Sequence, residues 1–466
     1  MLDLKTWQFW NSLNPSGSID QLSISIRRGP GDERAHLSLA AEKFRVRRQQ
    51  SDGIRIKPSW FPYPLTNLCG AISYHRGTLV MSDMRAEHGS TVLRLDGRGR
   101  LQPNGDWSVN LENVAADNLV ADYDLISALP GSLGPALAAM DIQGSFLVNG
   151  QLQLGHREGD QRSMHAGWDV TIDTAGGMLG GKMALGKIFG GIRLQGRHND
   201  RESFSRGELE IDSVQIKNQQ LTSLEGPIWI EQKQLLLGRW VPPRSEGDVA
   251  RPLVGTYADG AIELAAHVNR ADTSQFLLVA QLLNGDLSHF SQQPVVGGPL
   301  GGRVDAQLQL TGQLGAVHSL RGLGHVRLRK ADIERTPLIM AVSQLLAATE
   351  PAGSNFTSAE IDLRIQSDHL HLEDIRLNGD AVSLRGSGWM NVDREIDLKL
   401  YTAVGRGEIR VPIVSTVLAE ASRSLMEINV VGKLDQPQIK RTAFPDLDDT
   451  MQRILADLED TLPGRP

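Results

Sequence analysis

Val304-Asp305-Ala306-Gln307-Leu308-Gln309-Leu310 alternates apolar and polar residues without a break, which is the two-residue period of a strand with one dry face and one wet face. The alternation returns downstream at Ile361, Leu363 and Ile365, at Leu370 and Leu372, and at Ile396, Leu398 and Leu400. Upstream it runs through Leu22, Ile24 and Ile26, then Phe146 and Val148, Leu152 and Leu154, Ile192 and Leu194, Leu209 and Ile211, Ile228 and Ile230, and Ile262 and Leu264. Roughly 25 strands of ordinary length fit the chain. Asn149-Gly150, Asp259-Gly260, Asn284-Gly285 and Asn378-Gly379 punctuate the runs, and such dipeptides favour hairpins because both residues accept positive φ. Long helical segments that would carry parallel crossovers are missing between most runs, so the expected fold is mainly β and antiparallel.

Helical spacing interrupts the pattern in four places. Thr336-Pro337 opens a helix over 337–350, with Leu338, Val342, Leu345 and Leu346 on one face and Pro351 closing it. Pro412 opens another over 412–427, and a broken helical pair split at Pro130 is expected near 122–140. The chain ends on an amphipathic stripe of Leu447, Met451, Ile454, Leu455 and Leu458 in 446–466, expected to cap apolar surface of the sheet. Domain bounds of 1–299, 300–445 and 446–466 follow from these breaks.

Two distant segments match. Asp83-Met84-Arg85 precedes Leu93-Arg94-Leu95-Asp96-Gly97-Arg98-Gly99, and Asp374-Ile375-Arg376 precedes Leu384-Arg385-Gly386-Ser387-Gly388. The pattern predicts duplication of a meander unit.

Composition excludes several function classes. A net charge of −7 over 466 residues argues against a nucleic-acid partner, which needs clustered cations. Cys69 is the one cysteine, so no intrachain disulfide and no cysteine-built metal cage can form. The longest apolar stretch, near 338–348, is far short of the ~20 residues that span a bilayer. No signal segment is legible at the start of the chain. Gly176-Gly177-Met178-Leu179-Gly180-Gly181-Lys182 has the spacing of a phosphate loop, but Met183 stands where Ser or Thr must hold the metal. His369, His371 and Glu373 would share one strand face, yet no further ligand supports a metal site. No nucleophile elbow occurs, and eight Trp, five Tyr and ten Phe make a carbohydrate-stacking surface a poor expectation. No cofactor, no metal and no enzymatic activity are expected.

The last third of the chain resembles the C-terminal region of AsmA-like proteins of the bacterial envelope, the group that includes TamB and YhdP relatives. The resemblance is carried by Gly301-Gly302-Arg303-Val304-Asp305-Ala306-Gln307-Leu308-Gln309-Leu310-Thr311-Gly312, by Gly322-Leu323-Gly324-His325-Val326-Arg327-Leu328, by Ala381 to Gly388, and by Val430-Val431-Gly432-Lys433-Leu434-Asp435-Gln436-Pro437. It implies a long curled antiparallel sheet whose apolar concave face, a groove, holds phospholipid acyl chains. It also implies a periplasmic or cell-envelope location, a part in lipid movement between inner and outer membranes or in outer-membrane homeostasis, and membrane-anchored or envelope protein partners. The N-terminal membrane helix of that family is not found in this sequence.

On this reading Leu308, Leu310, Ile361, Leu363, Leu370, Leu372, Leu384, Ile396, Leu398 and Leu400 face inward as lipid-groove candidates. Alternation alone fits a closed two-sheet sandwich equally well, with the chain a non-catalytic structural or partner-binding scaffold.

Overall fold

A computed structural model describes residues 11–17, 23–27, 36–41, 54–102, 104–129, 134, 138, 142–157, 164–179, 185–199, 201–216, 219–231, 233–243, 249–269, 275–290, 300–347, 356–379, 382–404 and 427–442. Among the described residues there are twenty-five strands and two α-helices, α1 (Tyr123–Ala128) and α2 (Pro337–Ala347). The chain divides into two compact units, Met1–Thr256 with Glu263–Gln275, and Tyr257–Ile262 with Phe276–Pro466. The boundary thus falls before residue 300, because Leu287 and Leu300 are buried in the core of the second unit.

In the first unit the strands are β1 (Ser23–Arg27), β2 (His36–Ala41), β3 (Ile54–Ile56), β4 (Leu65–His75), β5 (Thr78–His88), β6 (Thr91–Leu101), β7 (Trp107–Val120), β8 (Ile142–Gln143), β9 (Ser145–His156), β10 (Met164–Leu179), β11 (Leu185–His198), β12 (Ser203–Ile216), β13 (Gln219–Glu231) and β14 (Gln234–Leu237), with most of β15 (Leu253–Tyr257) and β16 (Gly260–Asn269). The ladder runs β1, β2, β4, β5, β6, β7, β9, β10, β11, β12, β13, β14, β16, antiparallel at every step. β3 lies along β4 and β8 along the end of β10.

The second unit contains most of β17 (Gln275–Asp286), then β18 (Arg303–Gln313), β19 (Ala316–Arg329), β20 (Phe356–Gln366), β21 (His369–Gly379), β22 (Val382–Asn391), β23 (Glu395–Val404), β24 (Glu427–Lys433) and β25 (Gln436–Thr442). From β18 to β25 each strand pairs antiparallel with the next. Helix α2 follows β19. Pro337 takes its first position, and the backbone N–H of Ile339 donates to Thr336 Oγ1 at 3.4 Å. Its Ile339 and Val342 are buried together with Phe356, Ile375, Leu377, Leu384, Leu400, Ile428 and Val430.

The sequence repeat is a structural repeat. β4, β5, β20 and β21 each have eleven residues. Tyr74 pairs with Leu79 and Ile72 with Met81 in one meander, as Ile365 pairs with Leu370 and Leu363 with Leu372 in the other. Both then insert a bulge, Ser82-Asp83 and Glu373-Asp374, before Met84 meets Leu95 and Ile375 meets Gly386. In the first copy Asp83 is left-handed (φ 50°), and its N–H donates to Asp96 Oδ1 at 2.9 Å while Asn113 Nδ2 donates to Asp96 Oδ2 at 3.1 Å. One carboxylate therefore fastens the bulges of both neighbouring strands. The N–H of Asp83, and then Asn113, hold the Asp96 carboxyl below the ordinary carboxylate range. A carboxyl depressed in the folded state stabilises above its unfolded pKa, and that contribution is lost as pH falls through the folded value. Asp96→Ala should therefore lower the urea midpoint at neutral pH, and the gap from the parent protein should close in acid.

The turn dipeptides divide into two groups. Asp259-Gly260 turns β15 into β16, as expected, whereas Asn378-Gly379 are the last two paired residues of β21, and Asn149-Gly150 and Asn284-Gly285 lie inside β9 and β17. A Cβ on Gly150 would stand 2.1 Å from the Asp169 carbonyl oxygen of the neighbouring strand, so the glycine serves close strand approach. Asn284 (φ 57°) is a left-handed residue within its strand, its N–H donating to Asp305 Oδ1 at 2.8 Å. The helix expected near 122–140 is present as α1, with Asp122 Oδ1 accepting from Leu125 N at 2.8 Å. Past Pro130 the described residues Gly134 and Ala138 are helical, as expected for the second half of the pair, whereas the rest of that stretch, residues 412–426 of the next expected helix and the C-terminal helix of 446–466 lie outside the described residues, and Glu427 begins β24.

Candidate functional site: an apolar sheet face

Residues directly opposite each other in a ladder point to the same side of the sheet, so register defines faces. In the second unit one row across the strands is Leu308, Gly324, Leu363, Leu372, Gly388, Leu398 and Val430. The next rows are Leu310, Gly322, Ile365, Leu370, Met390 and Ile396 on one side, and Val326, Ile361, Ile375, Gly386, Leu400 and Ile428 on the other. Leu384 joins the same face opposite Leu377. All ten groove candidates thus share one side of the sheet.

Their surroundings differ. Leu384, Ile396, Leu398 and Leu400 are at most 3% exposed, packed in the core that Ile339 and Val342 of α2 complete. Protein already fills their contact surface, so the expectation of a lipid surface at these four is corrected to a closed core. Leu308, Leu310, Ile361, Leu363, Leu370 and Leu372 are half-buried.

The opposite side of this sheet is a ladder of ion pairs. Arg329 pairs with Asp305, Arg327 with Glu360, Arg364 with Glu373, and Arg376 with Glu360, Asp362 and Asp374. Such exposed pairs fix which face meets water more than they stabilise the fold. His369 and His371 lie here, with His369 Nδ1 at 2.8 Å from Asp368 and Glu373 taken by Arg364. Among the described residues no three His, Cys, Asp or Glu side chains are grouped to hold a metal ion. Gly176 and Gly177 belong to the end of β10, and the next described element is strand β11, so the phosphate-loop spacing does not lead into a helix.

In the first unit one sheet face contains a wide apolar region that, among the described residues, is only partly buried. Its rows across β9, β10 and β11 are Leu152, Trp168 and Gly196; Gly150, Val170 and Leu194; Val148, Ile172 and Ile192; and Phe146, Thr174 and Gly190. Leu154 extends it by one more row, opposite Ala166. The apolar side chains Phe146, Val148, Leu152, Leu154, Trp168, Val170, Ile172, Ile192 and Leu194 are all half-buried. Among the described residues no apolar side chain between Ala128 and Ile211 is fully buried. On either side the same face closes, over Met84, Val109, Val114 and Ala116 in one direction and over Ile211, Leu224 and Ile228 in the other. A second sheet packed at about 10 Å would bury these residues as a core, so β9 to β11 are not half of a dry sandwich. From Phe146 to Leu154 the region measures roughly 27 Å along the strands and about 10 Å across them.

No family model, curated protein or solved structure matches this chain. No helix among the described residues is long and apolar enough to cross a membrane. What the region can do is read from its own chemistry.

Trp168 fixes its floor. The indole lies over Gly196, where a Cβ would stand 2.5 Å from the ring, and its Nε1–H donates to Ser205 Oγ at 3.2 Å. Ser205 is 3% exposed, so this bond is shielded from water. Ser205→Ala should leave the indole N–H without a partner and cost about 1–2 kcal/mol in urea unfolding.

The nine residues stand in legible alternating runs, yet alternation does not say which stretch of an apolar face another element covers. The AsmA-like resemblance, not the alternation, points to the last third, where α2 closes part of the face.

Proposed function

We propose that the uncovered face of β9 to β11 holds the acyl chains of a lipid, and that this is a non-catalytic lipid-binding protein of the cell envelope. The observation that carries the reading is a continuous apolar surface in a folded sheet whose residues are only partly buried, a surface that an occupant would complete. Its length suits an extended hydrocarbon chain lying along the strands, since one leaflet of a bilayer is about 15 Å of hydrocarbon. Each methylene taken from water there contributes about 0.8 kcal/mol without directional contacts. Phospholipid as the ligand, a periplasmic setting, and a part in lipid transfer between inner and outer membranes or in outer-membrane homeostasis rest on the AsmA-like resemblance of residues 301–312, 381–388 and 430–437.

Organic extraction of the purified full chain followed by mass spectrometry tests the reading. Phospholipid at near-stoichiometric amount is expected. A lipid-free protein that also takes up no fluorescent phospholipid from donor vesicles would sink it. The dry core of the second unit, with Leu384, Leu400, Ile428 and Val430 at 1% exposure or less, favours a scaffold role for that part of the chain.

A further inference from the structure

The ends of β7, β10 and β12 and the starts of β9, β11 and β13 lie on one rim of the first unit's sheet. Six large apolar side chains between residues 107 and 231 are exposed: Val120 (38%), Tyr123 (82%), Leu147 (40%), Met178 (44%), Phe189 (42%) and Ile216 (39%). All six lie toward that rim. Val120 stands opposite Ser145, the first residue of β9, and Met178 opposite Gln143 of β8. Phe189 is opposite Ala175 and Ser213, and Ile216 is opposite Leu185 and Gln219. Among the described residues the other rim, where β7, β10 and β12 begin and β9 and β11 end, exposes no large apolar side chain. A sheet whose rims were merely solvated would not sort its exposed apolar residues to one side.

We infer that this rim rests on the surface of a zwitterionic phospholipid bilayer, a contact separate from the acyl-chain face and independent of it. Neighbouring strand ends set the side chains in a line roughly 19 Å long from β7 to β12. A protein partner's anchor residues instead cluster in a compact desolvated patch ringed by polar contacts, whereas a fluid apolar layer accepts a shallow line of side chains. Tyr and Phe among aliphatic residues are the mixture that settles at a membrane interface. Electrostatics neither drives nor blocks the contact. Lys187 is an exposed cation two residues from Phe189, and Asp212, next to the Ser213 that stands opposite Phe189, is an exposed carboxylate, so the local charges offset each other. The carboxylates flanking Tyr123 are turned to other work: Asp122 lies 3.0 Å from His88 Nε2 and caps α1, and Asp124 lies 3.7 Å from the same nitrogen.

Flotation of the full chain with phosphatidylcholine vesicles, at low and high salt, tests this. The parent protein should float, with little change on raising salt. The pair of substitutions Met178→Asp and Phe189→Asp should lower vesicle partitioning at least tenfold. Leu323→Asp, at a residue 59% exposed in the second unit, should leave it within twofold. Urea unfolding identifies a misfolded variant, in which case Phe189→Ser decides, with at least a threefold loss expected. A parent protein that stays with the soluble fraction, or an equal loss for Leu323→Asp, overturns the inference. A parent dimer in sedimentation that the rim substitutions make monomeric, without flotation, overturns it in favour of a second copy. Lipid extracted from the rim variants should match the parent, so failure here leaves the acyl-chain reading separately decidable.

Discussion

Truncating Leu400 to alanine should destabilise the second unit by about 3 kcal/mol, while Leu363→Ala should cost roughly 1 kcal/mol. Both leucines point to the same side of one sheet and both stand opposite glycine, Leu400 beside Gly386 and Leu363 beside Gly324. Chemistry and secondary structure are thus held constant. What differs is cover: Leu400 is 1% exposed in the core that α2 completes, and Leu363 is half-buried. A cavity forms only where neighbours close around the lost atoms, so the larger penalty belongs to Leu400. Urea unfolding of the two variants measures the difference. Equal penalties would mean that the face is equally dry across all its strands, and the division between closed core and open surface would fail.

That contrast marks where sequence reading stops. The side each leucine faces was legible, because a period of two leaves no freedom once strand identity is known, and the register aligns all ten chosen residues on one face. The repeat was legible from Asp83-Met84-Arg85 and Asp374-Ile375-Arg376, and the ladder pairs in the two meanders correspond residue for residue up to the shared bulge. Cover was not legible. It depends on where the helix after β19 comes to lie, a long-range matter that no local pattern records. Nor could Asn149-Gly150 be told from a hairpin turn, since the left-handed and close-approach roles of glycine use the same residue. The uncovered region of β9 to β11 escaped notice for the first reason. Its residues alternate like those of any half-buried strand, and only the missing cover distinguishes them.

The largest effect expected on ligand binding is at the centre of that region. Val170 lies between Gly150 and Leu194, and Ile172 between Val148 and Ile192, in the middle rows of the uncovered face. An aspartate at either position would place a carboxylate against the acyl chain proposed to lie there, with no Lys or Arg on the same face among the described residues of β9 and β11 that stand opposite it. Desolvating that charge costs several kcal/mol, and about 3 kcal/mol already corresponds to roughly a hundredfold in affinity. Val170→Asp should therefore abolish co-purifying lipid. Folding should suffer less than at a core site, because Val170 is only partly buried before the substitution and the new carboxylate can keep water when no lipid is bound. Thr171→Asp is the matched control: it lies on the other side of the same strand, opposite Arg193, which already pairs with Asp169, so the new carboxylate stays in water and away from the apolar face. It should retain the parent's lipid. Extracted phospholipid per mole of folded protein, normalised by a urea unfolding curve for each variant, separates ligand loss from unfolding. If both substitutions deplete lipid equally while both proteins remain folded, the lipid does not lie on this face, and the acyl-chain reading of β9 to β11 fails.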